Sequence, residues 1–156
     1  MSSGGVYYNR KSEKFVEPIY KNAPFFGDIK DLNSLKSNFE IGDKELKDFE
    51  ILFSIYIIDG YEGSAFVLLR NKITNALYEV NAGHRSCMGL EGQFEPEKTS
   101  AEFLKFLLNS NISKFTVGAN LFYDSNQDEI DARNYFTLLV DKLLKYAGTH
   151  EIQTEG

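Results

Sequence analysis

Phe49-Glu-Ile-Leu-Phe-Ser-Ile-Tyr-Ile-Ile-Asp59 is the stretch on which the fold turns. It is β-branched or aromatic at most positions and runs into Asp59-Gly60, a turn signal, so it predicts a central strand. After Gly60-Tyr-Glu-Gly63, residues 65–70 predict a second strand, and after Asn71-Lys-Ile-Thr-Asn75, residues 76–81 predict a third. Connections this short favour an antiparallel meander. The Gly60–Gly63 turn is then expected away from the loop that begins at Gly83.

Working outward, Leu32, Leu35 and Phe39 lie at helical spacing, Gly42 interrupts them, and residues 43–48 predict a further helical turn. Thr99-Ser-Ala-Glu102 has the form of a capping box that opens a helix to Asn109, with Phe103, Leu104, Leu107 and Leu108 on one face. Residues 114–121 alternate as a strand does. Ser125 or Asn126 then caps a last helix of about 20 residues, with an apolar stripe at Phe136, Leu139, Val140, Leu143 and Ala147, and with Gly148 as its stop. The expected class is α+β: a mostly antiparallel sheet of about four strands containing the meander, covered on one face by two helices, with an N-terminal arm. Residues 1–24 read as the arm, 25–150 as one domain and 151–156 as a disordered tail.

Composition narrows the function classes. The chain has 156 residues, 42% of them hydrophobic, and a net charge of -6, which suits one folded domain. Residues 1–24 carry +2, residues 25–85 carry -3 and residues 86–156 carry -5. No Lys and Arg cluster is evident, which argues against nucleic acid as a partner, and the negative charge is too sparse to mimic DNA. The longest apolar run is far too short to cross a bilayer, so no membrane partner is expected. A single cysteine, Cys87, excludes an intrachain disulfide, and no signal-peptide pattern follows Met1, so the cytoplasm is the expected address. The arm carries Val6, Tyr7, Tyr8, Phe15 and Tyr20, side chains able to lie on the body or to join a second copy in a homo-oligomer.

One loop stands apart. Gly83-His-Arg-Ser-Cys-Met-Gly-Leu-Glu-Gly-Gln-Phe-Glu-Pro-Glu97 gathers the only Cys, one of two His, three Gly and three Glu between a strand and a capped helix. Such a position lets fixed ends present functional groups on a backbone that glycine can bend. The string from His84 to Glu97 resembles the signature of a family of small uncharacterised phage and bacterial proteins, Gly-x-His-Cys-Ser-Cys-x-Gly-Leu-Glu-Gly-Gln-Trp-x-Pro-Glu. The resemblance spans residues 65–104, with Arg85 in place of the first Cys and Phe94 in place of Trp. It implies a phage or mobile-element context and a host-cell cytoplasm, and it carries no activity with it.

Several chemistries compete for the loop. His84 three residues before Cys87 suggests an activated thiolate in a small enzyme. His84, Cys87 and one of Glu91, Glu95 or Glu97, joined by His150, suggest zinc, although one Cys and an Arg at the second thiolate position make a poor ligand set. Two of the glutamates suggest acid-base work, against the plainer reading of solvated charge. An architectural loop would plug Leu90 and Phe94 into the core. A recognition surface would use Arg85, Met88, Leu90 and Phe94, types that interfaces favour. The reading adopted is a non-enzymatic accessory protein that binds and modulates or inhibits a host or competing protein, as an anti-defence factor would. Its binding residues are His84, Arg85, Ser86, Cys87, Met88, Glu91, Gln93, Phe94 and Glu95, and no catalytic residue, metal or cofactor is assigned.

Overall fold

The computed structural model describes residues 22–85, 88–110 and 127–155. In chain order these form β1 (Phe25–Gly27), α1 (Leu32–Phe39), α2 (Asp43–Leu46), β2 (Phe49–Asp59), β3 (Glu62–Asn71), β4 (Leu77–His84), β5 (Glu97–Thr99), α3 (Ala101–Ser110) and α4 (Gln127–Glu155). The fold is α+β, and its sheet has the order β1-β2-β3-β4-β5. The β2-β3-β4 meander is antiparallel as the short turns require. The sheet is nevertheless mixed and five-stranded among the described residues, because β1 pairs with β2 in parallel and β5 adds antiparallel to β4. The predicted strand at 114–121 and the cap at 125 or 126 fall outside the described residues.

Both faces of the sheet are covered, in contrast to the single covered face that the sequence suggests. Phe26, Phe53, Ile55, Phe66 and Leu68 point to one side and meet Leu104 of α3 and Phe136, Leu139 and Val140 of α4. Phe53 is the centre of that layer, with ring centroids 4.8 Å from Phe136 and 6.1 Å from Phe66. Tyr56, Ala65, Val67, Leu69 and Val80 point to the other side, where Leu35 and Phe39 of α1, Leu46 of α2 and Leu90 complete a second core. The register of β2 against β3 shifts between Ile51 and Phe53, which turns Leu52 and Phe53 to the same face as a β-bulge does. Five consecutive buried residues, 52–56, follow from this arrangement. A strand buried on both faces needs apolar side chains at successive positions, not alternating ones.

The parallel strand exists because α1 and α2 form the crossover from β1 to β2. Asp31 caps α1 by accepting a hydrogen bond from the Ser34 amide at 2.8 Å, and Leu35 and Phe39, four residues apart, bury its inner face. The Gly42 amide donates to the Glu45 carboxylate at 2.9 Å as α2 begins. At the end of β1 the Asp28 amide donates to the Tyr56 carbonyl at 2.6 Å. Gly27, at φ +73°, lies so close to that carbonyl that a Cβ would collide with it.

Two helix boundaries differ from expectation. Thr99 ends β5, so the cap of α3 moves one residue on: Ser100 Oγ accepts from the Phe103 amide at 3.1 Å, and Phe103 itself is exposed. Helix α4 runs through Gly148 and takes in residues 151–155, reaching 29 residues. Glycine costs a helix about 1 kcal/mol but stops it only where the chain turns left-handed.

Gly27→Ala combines a positive φ with a backbone collision and should lower stability by about 3 kcal/mol in a urea melt. By contrast, Ser54 is fully buried and its hydroxyl has no partner among the described residues, so Ser54→Ala should leave stability unchanged or raise it by up to about 1 kcal/mol.

Candidate functional site

Strand β4 runs on to His84, beyond the boundary expected at Asn81, so Gly83 and His84 belong to the sheet and not to the loop. Gly63 pairs with His84 across β3 and β4. The β2–β3 turn therefore adjoins the Gly83 loop, contrary to expectation, since in an antiparallel pair one strand begins where its neighbour ends. This brings Tyr61 and the loop to the same end of the sheet.

His84 is held at both ring nitrogens. Its Nδ1 lies 3.0 Å from the Tyr61 carbonyl and its Nε2 lies 2.8 Å from the Tyr56 hydroxyl. A carbonyl can only accept, so in the neutral ring Nδ1 donates and Nε2 accepts from the Tyr56 phenol. Tyr56 is on β2 and His84 on β4, and the contact crosses β3 because the position between them is Gly63. A Cβ at Gly63 would collide with His84 Nε2 and press on the Tyr56 ring. Both ring nitrogens thus have partners within the meander.

The loop is anchored by three side chains. Leu90 is fully buried in the second core. Phe94 packs against that core and meets Phe39 edge-on at 5.5 Å. Gln93 Oε1 accepts from the Gly83 amide at 3.0 Å, while Nε2 donates to the Gly83 carbonyl at 3.0 Å and to the Gly89 carbonyl at 3.1 Å. Strand β5 covers β4 only from Leu77 to Glu79, so beyond that point the Gln93 amide takes the place of a strand peptide at Gly83. Gly92, at φ +80°, makes the bend between Leu90 and Gln93.

The residues singled out from sequence therefore divide. His84, Gln93 and Phe94 are framework. Arg85 and Met88 are exposed, Met88 at 64%. Glu91 is exposed, with one carboxylate oxygen 3.4 Å from the Gly89 amide, and Glu95 is exposed just beyond Gln93. Glu97 is elsewhere, opposite Glu79 in the β4–β5 pair. Ser86 and Cys87 fall outside the described residues, as does the side chain of His150. Among the described residues no group of three or more His, Cys, Asp or Glu is placed to hold a metal ion. Sequence reasoning missed Tyr56, Tyr61 and Gly63. A glycine inside a strand, with small Ala65 two residues on, was the available signal for a side chain crossing from one neighbour to the other.

Electrostatically the phenol of Tyr56 is held above its ordinary value of 10.0, first by burial and then by the carboxylates of Asp28 and Glu91. Tyr135 is raised likewise by burial and by Glu50. No helix among the described residues is long and apolar enough to cross a membrane. Comparison with protein-family models, curated proteins and solved structures finds no match.

Gln93→Glu keeps the acceptor but turns a carboxylate toward two carbonyls, and should cost about 2 kcal/mol or more, with faster amide exchange at Gly83 and Gly89 and little change in the centre of β3. A phenol that keeps its proton longer in the folded state leaves stability intact below pH 10 and erodes it as pH rises further. Tyr56→Phe should therefore make that alkaline loss shallower in pH-dependent melts, with the Tyr135 contribution remaining.

Proposed function

We propose that this domain works by stoichiometric contact with another protein, using the sheet end formed by the β2–β3 turn and the loop after β4. The observation that carries the reading is the combination of a pinned backbone with exposed contact side chains. Tyr61 is 74% exposed although its carbonyl is fixed by His84. Met88 is exposed next to Gly89, whose carbonyl is fixed by Gln93. Arg85 follows directly on His84 and is exposed. An aromatic ring, an arginine and a methionine are side chains that protein interfaces favour. A backbone already held in place reduces the ordering cost that binding otherwise incurs.

The kind of partner comes from the sequence resemblance. A phage or mobile-element accessory protein acts on a host or competing protein, and an anti-defence inhibitor or modulator needs a shaped surface and no reaction centre. His84 engaged by Tyr56 and Tyr61 favours this reading over an enzyme centred on His84 and Cys87.

The test is capture of a partner from bacterial lysate by the purified chain, followed by titration with the identified protein. Tyr61→Ala with Arg85→Glu should weaken binding at least about tenfold with an unchanged melting curve, as loss of interface anchors does. Phe94→Ala should instead lose stability, because its ring is part of the second core. Equal affinity for the parent chain and the Tyr61→Ala/Arg85→Glu variant removes this sheet end from the interface.

A further inference from the structure

The other end of the sheet carries a second surface. Phe49 pairs with Asn71 at that end, whereas Asp59 pairs with Glu62 beside the loop. An open groove of about 520 Å³ lies there between the crossover helices and the sheet, within the roughly 300–1,000 Å³ typical of binding clefts. Its floor is apolar: Phe25 of β1, Leu32 of α1, and Phe49 and Ile51 of β2. Leu32 is 41% exposed, so apolar area is left open to solvent.

The rim is basic in a chain of net charge -6. Lys36, Lys47 and Lys72 line the groove with a single carboxylate, Asp43. Asp43 pairs with Lys36 at 2.5 Å, while Lys47 and Lys72 are exposed and have no ion pair among the described residues. The wall that carries Lys72 is fixed, because its amide donates to the Asp48 carbonyl at 2.8 Å. The turn it belongs to is closed by Asn71, whose side chain accepts from the Ile73 and Thr74 amides.

We propose that this groove binds an acidic amphipathic segment of a partner protein, with apolar side chains on the Phe25, Leu32, Phe49 and Ile51 floor and carboxylates at Lys47 and Lys72. Charge complementarity selects the occupant. The chain's own arm includes Pro24 on the groove, but its sequence carries four basic residues against two acidic ones and would set like charge against the rim. An acyl chain would match the floor and the rim, yet an open groove leaves much of it in water, whereas a peptide supplies a second wall of its own.

The full-length chain is titrated by fluorescence anisotropy with a set of short labelled peptides in which Asp and Glu alternate with Leu and Phe at varied spacing. A matched set replaces every acid with Lys. Saturable binding is expected for acidic peptides alone. Lys47→Glu with Lys72→Glu should weaken it at least about tenfold, and so should raising salt until the screening length falls to about 3 Å. Both lysines are exposed, so the melting curve should not move. Tyr61→Ala with Arg85→Glu should bind these peptides as the parent does, which separates this groove from the sheet end proposed above. The inference is overturned if no acidic peptide saturates, if the Lys set binds equally, or if the double lysine variant binds unchanged. It is also overturned if only dodecanoate binds. A self-associated chain that dissociates on Lys47→Glu/Lys72→Glu substitution while the peptides fail to bind would identify a second copy as the occupant instead.

Discussion

Tyr56 is where the separate pieces of this fold are tied together. Its carbonyl accepts the Asp28 amide and so closes the parallel strand β1 onto β2. The hydroxyl of the same residue reaches over β3 to His84 at the end of β4. In between, the ring is buried in the core beneath the crossover helices. Each contact depends on a missing side chain, at Gly27 in the first case and at Gly63 in the second. One residue thereby couples the start of the chain, the centre of the sheet and the exit into the loop. Loss of either glycine would be felt at both ends of that connection.

The two-sided core follows from the same strand. A sheet with helices on one face alone would leave Tyr56, Val67, Leu69 and Val80 in water, and the crossover through α1 and α2 removes that cost on one side of the meander. Leu90 and Phe94 extend the cover toward β4. The loop is thus part of the hydrophobic core through two side chains and part of the sheet through a third, Gln93. Exposed at this sheet end are the side chains of the β2–β3 turn, Arg85 and Met88.

How much of this was legible in the sequence depends on the range of the interaction. The meander was legible because β-branched runs and short turns are local properties, and the buried stripe of α4 because 3.6-residue periodicity is local too. Strand β1 was not, since three residues have no periodicity and its partner lies beyond two helices. The cap of α3 slipped from Thr99 to Ser100 because pairing of Thr99 with Leu77 claimed that residue for the sheet. The candidate site was legible as a location and largely illegible as chemistry. Gln93 read as one polar residue among several, and only the register of β4 shows that its amide stands in for a missing strand. The run 52–56, apolar but for the small Ser54, did contain the message that both faces are covered, because a half-buried strand would have alternated.

The framework and the exposed tips answer to different physical demands, and this separation is what makes a binding reading coherent. His84, Gln93, Leu90 and Phe94 are satisfied within the fold, so their contribution to any partner is through the backbone they hold. Tyr61, Arg85 and Met88 have their main chain in that frame and their side chains outside it. Lys72, on the rim of the groove, follows directly on the end of β3 opposite to the Gly63–His84 pair, roughly 30 Å away at about 3.3 Å per residue. At that separation surface charges are screened from one another at physiological salt. An acidic ligand drawn to the groove would therefore gain nothing from Arg85. A partner that uses both surfaces has to span the sheet, and the rigidity of β2 between them fixes the distance it must span.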